Sequence, residues 1–278
     1  MTTAPRARTG SRSTIAAAAF LSLFAAAPAF AQDEAAVVED EERGRIVTIG
    51  GGVQYYPRFP GDDDLGLNPM PVIGVRRVGE PITFEAPDEG WGFGLLGSDS
   101  AINVGPAIQF QGKRREEDVG AAVGEVDFTV EAGAFVDLWV GDNVRLRAEG
   151  RRGFFGHEGM LLDLGADFVM RDGDDYIFSV GPRLRLVDGE FMDTYFGVPE
   201  EVAAATGLDA YDPGGGLQAV GATVGLQYQL GGGLGLHAYA RYDRLIGDAA
   251  DSPIVLEHGS RHQWGAGLGL SYSFRVGG

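Results

Sequence analysis

The sequence has 278 residues, of which 45 are glycine and none is cysteine, and its formal net charge is −18. The lack of cysteine excludes disulfides, thiolate metal sites and cysteine nucleophiles. The acidic balance argues against nucleic-acid binding, which requires a basic face. Glycine, at more than twice its usual share of ~7%, disfavours long helices because it is costly in their interiors.

The first 31 residues have the pattern of a secretory signal peptide. Three arginines precede an apolar stretch over 14–27 that is short for a membrane span, and Ala29-Phe30-Ala31 offers a small-x-small cleavage site. We predict a signal peptide over 1–31 and an acidic, flexible leader over 32–45. The alternative is an uncleaved N-terminal anchor.

From residue 46 onward, apolar and polar residues alternate with a period of two, which indicates strands with one apolar face. In the last such segment, Trp264, Leu268 and Tyr272 alternate with glycine, serine and other polar residues. The predicted strands are 46–56, 69–78, 81–86, 91–97, 101–112, 124–140, 143–153, 159–171, 175–188, 214–230, 233–245 and 261–275. Twelve strands are therefore expected, or ten if 79–100 contains none.

Apart from the two short segments 81–86 and 91–97, these segments are longer than ordinary strands of ~5–6 residues and long enough for a transmembrane strand, which needs ~9–11 residues. The predicted fold is all-β, an antiparallel up-and-down transmembrane barrel over 46–278 with short periplasmic turns, long outer loops and lipid outside. The alternative is a secreted lipocalin-like barrel, in which the apolar residues would face inward.

Charged residues occupy the polar face of several predicted strands, with acidic segments followed by arginine-rich ones. Neighbouring strands could therefore pair opposite charges across the lumen wall. The predicted lumen network consists of Glu125, Asp127, Glu131, Arg145, Arg147, Arg151, Asp163, Asp167, Arg183, Arg185, Arg241 and Asp243.

The long loop over 189–213 is the candidate plug or gate of this lumen. It contains Tyr195-Phe196-Gly197-Val198, and a helix is predicted to start near Pro199, because proline is favoured in the first helical turn and Glu200 and Glu201 suit its positive end. A twelve-stranded barrel could hold a narrow pore or be filled by side chains and an inward loop.

One loop, 247–262, combines acids, a hydroxyl and imidazoles: Asp248, Asp251, Ser252, His258 and His262. A serine nucleophile needs a base within hydrogen-bond reach and an acid behind that base. However, Ser252 precedes a proline and lacks a glycine elbow, so a structural loop motif is the preferred interpretation and a lipid hydrolase the remote one. Asp62-Asp63-Asp64 could hold a hard cation but lacks EF-hand spacing, which favours a surface loop.

Three segments resemble the MipA/OmpV family of outer-membrane proteins. They are the first strand and loop, from Gly50 to Asp62; Tyr195-Phe196-Gly197-Val198 with the following Gly207-Leu208; and Leu245 to Val255, which includes Asp248-Ala249-Ala250-Asp251-Ser252-Pro253. They occur in the same order as in the family, over about residues 46–275. One departure is that Arg275-Val276-Gly277-Gly278 follows Phe274, whereas barrels commonly end on an aromatic residue.

The resemblance implies an outer-membrane barrel of a Gram-negative bacterium, in contact with outer-membrane lipid and lipopolysaccharide. It also implies a scaffold that joins a lytic transglycosylase and a penicillin-binding synthase in peptidoglycan growth. Other members are associated with adhesion and with passage of small compounds, so the alternative is a narrow channel for small solutes. We expect a non-enzymatic protein with no cofactor, no metal site and no nucleic-acid partner.

Overall fold

The structure, a computed structural model, describes residues 44–97 and 100–277. Within these ranges the chain forms eleven strands and five short helices. The strands are β1 (Arg45–Pro57), β2 (Leu65–Arg77), β3 (Trp91–Gly92), β4 (Ile102–Gln111), β5 (Thr129–Val140), β6 (Val144–Phe154), β7 (Met160–Asp172), β8 (Tyr176–Val187), β9 (Gly216–Gly231), β10 (Leu234–Leu245) and β11 (His262–Val276). The helices are α1 (Glu116–Val119), α2 (Gly189–Phe196), α3 (Glu200–Thr206), α4 (Gly247–Asp251) and α5 (Pro253–His258).

All eleven strands belong to one curled antiparallel sheet with the order β2-β1-β11-β10-β9-β8-β7-β6-β5-β4-β3. Consecutive strands pair with each other except β2 and β3, and β1 also pairs with β11, so that the first and last strands lie side by side. The predicted all-β, antiparallel up-and-down architecture is therefore confirmed. β2 and β3 are the two edge strands of the sheet.

The predicted count of twelve strands is wrong for the described residues, and so is the fallback of ten. The segment 81–86 is not a strand, and only Trp91–Gly92 of the predicted strand 91–97 pairs as one. Pro81 begins the first segment and Pro87 follows it, and proline has no N–H to donate to a ladder. Residues 78–90 instead leave β2 and pass through the interior of the curled sheet, where Phe84 and Ala86 are buried.

The outward face of the sheet is apolar along most of its height. Leu146, Phe168 and Leu268 are exposed by 40%, 48% and 57%, and similar side chains alternate outward on every long strand. The inward face carries the glycines, hydroxyls and charges. A lipocalin-like barrel would have the opposite arrangement, so the sheet has the polarity of a lipid-facing barrel. Among the described residues no helix is long and apolar enough to cross a membrane.

The two ends of the sheet differ in the length of their connections. Tight turns at 141–143, 173–175 and 232–233 lie at one end, together with the start of β1 and the end of β11. Gly141 and Gly173 adopt φ values of 64° and 50°, which non-glycine residues rarely adopt. The long connections lie at the opposite end, which is therefore the extracellular one by the usual orientation of such barrels.

The edge strand β2 contains two prolines that prevent further pairing. Val78 N–H donates to Gly44 O at 3.2 Å, which extends the β1–β2 ladder and directs the backbone of even-numbered β2 residues towards β1. The backbone of Pro69 and Pro71 therefore faces the free edge, where the missing N–H groups interrupt any ladder. This use of proline is common on edge strands and blocks edge-to-edge association.

The predicted signal peptide, 1–31, lies outside the described residues, as does the predicted leader up to residue 43. Strand β1 begins at Arg45, which the prediction assigned to the leader.

Candidate functional site

The extracellular end of the sheet is closed by a packed cluster of loop and helix side chains, which we call the cap. It combines four connections: 58–64, 112–128, 188–215 and 246–261. Its buried members include Phe59, Val119, Val123, Val126, Phe191, Met192, Tyr195, Phe196, Val198, Leu208, Ala249, Ala250, Ile254 and Val255. Because these side chains come from all four connections, the cap is a single small core over the mouth of the lumen.

The family-motif loop, Asp248-Ala249-Ala250-Asp251-Ser252-Pro253, is one side of this cap. Ser252 is fully buried and its Oγ donates to Phe196 O at 2.7 Å. The Asp248 carboxylate accepts from Gly214 N–H at 2.8 Å, and Asp251 pairs with Arg261 at 3.0 Å. Pro253 is the first residue of α5, where its missing N–H costs nothing. The motif therefore ties two extracellular connections together.

The polar groups that suggested a serine nucleophile have separate partners. Ser252 Oγ bonds a backbone carbonyl, whereas His262 Nδ1 bonds the hydroxyl of Tyr242 at 2.7 Å on the outward face of β10 and β11. The described residues contain no group of three or more histidine, cysteine or acidic side chains arranged to hold a metal ion. Asp62 is buried and its carboxylate accepts from Arg58 Nε at 2.7 Å, so it is an ion-pair partner within the cap.

The candidate plug residues, Tyr195-Phe196-Gly197-Val198, also lie in the cap. Tyr195 and Phe196 end α2, and Val198 forms an isolated bridge with Tyr211. The predicted helix after Pro199 is present as α3. Tyr195 packs edge-on against the ring of His157, with centroids 5.7 Å apart. These residues therefore cover the mouth of the lumen and do not enter it. The segment that enters the lumen is 78–90.

An arginine in the connection 112–128 binds the C-terminal end of helix α2. Arg114 is buried, and its Nη1 donates to Tyr195 O at 3.1 Å. Burial lowers the pKa of Arg114 to about 10, and burial likewise raises the pKa of the Tyr195 hydroxyl above its ordinary value. Both shifts follow from the removal of water, which disfavours the charged form of each group.

Below the cap, three arginines on β6 form ion pairs with acids on the neighbouring strands; they are Arg145, Arg147 and Arg151. Arg147 bonds Asp137 on β5 at 3.0 Å and Glu149 on its own strand at 2.6 Å. Arg151 bonds Glu131 on β5 at 2.9 Å and Asp163 on β7 at 2.7 Å. Odd-numbered residues of these strands all face inward, so cross-strand neighbours of opposite sign meet on one wall.

The network extends over β7, β8 and β10. Asp167 accepts from Arg145 at 3.0 Å and from Arg183 at 2.8 Å, and Arg185 bonds Asp163 at 2.6 Å. On β10, Arg241 bonds Asp243 two residues later. Of the predicted network, the ten residues on strands β5 to β8 and β10 are therefore brought together.

Two predicted members of the network lie elsewhere. Glu125 and Asp127 precede β5, which begins at Thr129 rather than at 124. Val126 forms an isolated bridge with Arg114, which draws this segment into the cap, and Asp127 is an exposed partner of Lys113 at 2.7 Å. The prediction for these two residues is wrong, because the alternating pattern starts before Thr129, where the chain enters the sheet.

The segment 78–90 supplies carboxylates that the sequence-based prediction missed. Asp88 accepts from Arg183 Nε at 2.8 Å and from Thr223 Oγ1 at 2.9 Å, and Glu89 is paired with Arg145. Phe84 lies beneath the guanidinium of Arg145, 4.6 Å from its ring centroid. The segment thus fills the lumen beside β6 to β9 and neutralises arginines that the strands alone leave partly unpaired.

Two further buried groups were missed. Glu149 lies between Arg147 and Arg151 and bonds both; its inward parity on β6 could have revealed it. His157 is fully buried, and its Nε2 lies 3.1 Å from Glu131 Oε1. A lone histidine in a loop gives no periodic signal, so its position beneath the cap could not be read from the sequence.

The opposite wall of the lumen is almost free of charge. β1 and β11 face inward with small residues such as Gly52, Gly267 and Gly269, and with Thr48, whose hydroxyl lies 2.7 Å from Ser273 Oγ. Tyr239 donates to Gln54 at 2.7 Å, and His237 Nε2 lies 2.9 Å from Ser271 Oγ. The interior therefore has a charged, filled side and a neutral, small-residue side.

Comparison with known proteins gives low-similarity structural matches and one family match. The chain is similar to the COG4313 outer membrane channel from Pseudomonas putida F1, with 8% identity, a TM-score of 0.42, and coverage of 86% of this chain and 100% of that one. It is also similar to the translocator domain of the autotransporter NalP from Neisseria meningitidis, with 12% identity, a TM-score of 0.38, and coverage of 85% and 92%. A search of curated proteins gave no match.

The family match covers most of the described chain. The sequence model of the family described as "MltA-interacting protein MipA" matches residues 49–274, from within β1 to two residues before the end of β11. This range includes the cap, the segment 78–90 and the lumen network. With its lipid-facing polarity, the molecule is an outer-membrane β-barrel protein, and the chain belongs to the MipA family.

Proposed function

We propose that this protein is a non-enzymatic barrel with a filled lumen that anchors murein-processing enzymes at the periplasmic face of the outer membrane. The observation that carries the proposal is the occupied interior. The cap covers the extracellular mouth, and one side of the lumen is filled by the segment 78–90 and by the ion pairs that Arg145, Arg147 and Arg151 make with this segment or with neighbouring strand residues. A barrel filled in this way offers its periplasmic rim as its working surface.

The family description names an interaction with MltA, and the resemblance found in the sequence implies a lytic transglycosylase and a penicillin-binding synthase as partners. The described periplasmic rim carries charge of both signs. Asp142, Asp172 and Asp175 are exposed at the β5–β6 and β7–β8 turns, and Arg45 and Arg77 are exposed at the ends of β1 and β2. Separate patches of opposite sign suit the docking of two different partners, since electrostatic complementarity sets orientation and specificity.

The test is capture of a purified murein lytic transglycosylase by the full-length barrel in detergent. We expect the triple variant Asp142→Asn, Asp172→Asn and Asp175→Asn to weaken capture by about tenfold, as the loss of several rim charges would. The matched control neutralises three exposed extracellular acids, Asp63, Glu117 and Glu158. Equal capture by both variants, or no capture by the wild type, would refute the scaffold.

A narrow channel for small solutes is the second candidate, and the small-residue wall of β1 and β11 favours it. Planar-bilayer recordings separate the two functions. A scaffold gives no steady conductance, whereas steady conductance that changes with Arg147→Glu, in protein that keeps its folded gel mobility, would establish a channel. The hydrolase interpretation fails if any lipid hydrolysis detected is unchanged by Ser252→Ala.

A further inference from the structure

The outward face of the strands is interrupted by very few charged side chains. Towards the extracellular end these are Arg152 on β6 and Arg244 on β10, and both are exposed. Among the ion pairs and hydrogen bonds of the described residues, neither guanidinium has a protein partner. A guanidinium on this wall favours an anionic lipid group as its counter-charge, and the neighbouring side chains determine how strongly such a group is held.

Arg244 differs from Arg152 in its surroundings. It lies directly opposite His262 of β11 in the β10–β11 ladder and opposite Val220 of β9 on its other side. Directly opposed residues on one face have Cβ atoms about 4.5–5.5 Å apart. Arg152 instead lies between Ala132 and Met160, which offer no polar group.

The imidazole of His262 is held in a fixed orientation. Its Nδ1 lies 2.7 Å from the hydroxyl of Tyr242, and the two rings stack with centroids 5.9 Å apart. When the tyrosine donates to Nδ1, the imidazole proton is on Nε2, so that this nitrogen is a donor. Trp264 also packs against Tyr242, with centroids 4.5 Å apart. Arg244, His262, Tyr242 and Trp264 therefore form one outward cluster, which we call the outer-wall cluster.

The acids nearest in sequence already have partners on other faces. Asp243 points inward and bonds Arg241, Asp251 bonds Arg261 at 3.0 Å, and Asp248 accepts from Gly214 N–H. The outer-wall cluster thus presents a guanidinium and an imidazole donor side by side, above aromatic rings that suit the membrane interface.

We propose that the outer-wall cluster binds the phosphate of a phosphorylated glycolipid in the outer leaflet. Arg244 binds the phosphate through its paired N–H groups, His262 Nε2 donates a further bond, and the rings of Tyr242 and Trp264 contact the sugar and the upper acyl chains. The ligand is a lipid because the cluster lies on the outward wall, continuous with the apolar residues below it. The site does not depend on what the periplasmic rim binds.

The test measures binding of diphosphoryl lipid A and of its dephosphorylated counterpart to the full-length barrel in detergent, by native mass spectrometry. We expect Arg244→Ala and His262→Ala each to weaken binding of the phosphorylated lipid by about tenfold, the usual effect of losing a charge-assisted hydrogen bond. Arg152→Ala is the matched control, and we expect a change of less than about twofold for an arginine without these neighbours. The dephosphorylated lipid should not distinguish the variants.

An equal loss in Arg152→Ala, or unchanged binding in Arg244→Ala, would overturn the proposal. Full competition by inorganic phosphate at millimolar concentration would also overturn it, because the site would then recognise the free ion without the lipid. Folded gel mobility of each variant separates loss of binding from loss of fold. Failure of this experiment leaves the transglycosylase capture unaffected, so the two proposals can fail separately.

Discussion

Replacing Asp88 by asparagine tests whether the segment 78–90 is an integral part of the folded barrel. The Asp88 carboxylate is buried and accepts from Arg183 Nε and Nη2 at 2.8 and 3.1 Å and from Thr223 Oγ1 at 2.9 Å. Arg241 Nη1 lies 3.6 Å away. The amide of asparagine would remove the negative charge and turn N–H donors towards these guanidinium groups.

The free-energy cost of Asp88→Asn depends on which ion-pair partners Arg183 and Arg241 keep. Removing one partner of an isolated buried ion pair costs about 3–5 kcal/mol. Arg183 still bonds Asp167 at 2.8 Å, and Arg241 still bonds Asp243, so roughly half of that penalty, about 2 kcal/mol, is expected. For a domain of this size, 2 kcal/mol corresponds to a fall of about 4–8 °C in Tm.

The assay is urea or heat unfolding in lipid vesicles, followed by the difference in gel mobility between folded and unfolded barrel. Asp142→Asn, at an exposed periplasmic turn, is the control and should change the free energy of unfolding by less than about 0.5 kcal/mol. Arg183→Gln combined with Asp88→Asn should cost less than the sum of the two single changes, because the groups are in contact. Additive effects, or an Asp88→Asn midpoint equal to the control, would refute the ion-pair reasoning.

Three further predictions concern the sheet and the cap. Gly133→Ala should prevent assembly, because a Cβ there would overlap Gly150 O, whereas Gly150→Ala meets nothing within 4 Å and should fold; folded gel mobility distinguishes them. Phe196→Ala, at a fully buried position, should cost about 3–5 kcal/mol and expose 188–215 to protease added to intact cells; an uncut loop contradicts this. Ser252→Ala should cost about 1–3 kcal/mol by leaving Phe196 O without its donor, and an unchanged urea midpoint would show that this bond contributes nothing.

The alternation of apolar and polar residues predicts the long strands well because barrel strands have one lipid face and one lumen face. The predicted segment 143–153 corresponds to β6 at Val144–Phe154, and 159–171 corresponds to β7 at Met160–Asp172. The same parity places Arg145, Arg147 and Arg151 on one inward row. The period-two alternation and the sign of the charges together therefore predict most of the members of the lumen network that lie on strands.

The interior segment could not be predicted in this way. Its acids have partners far along the chain: Asp88 and Arg183 are separated by 95 residues, and Glu89 and Arg145 by 56. A segment that crosses a lumen has no face shared with neighbouring strands, so no period reveals it. The prediction for Asp127 is wrong for a related reason: the alternation already starts in the segment before β5, which the bridge between Arg114 and Val126 holds in the cap.

The position of the segment 78–90 also determines at which stage of folding its buried acids can acquire their ion-pair partners. The segment is synthesised before β4, yet the arginines it neutralises lie on β6 and β8, and Arg241, which approaches Asp88, lies on β10. Until those strands have joined the sheet, Asp88 and Glu89 have no partner, and a desolvated charge without one is costly. Burial of the segment is therefore coupled to the last strand pairings, and a barrel missing its C-terminal strands keeps its own interior acids in water.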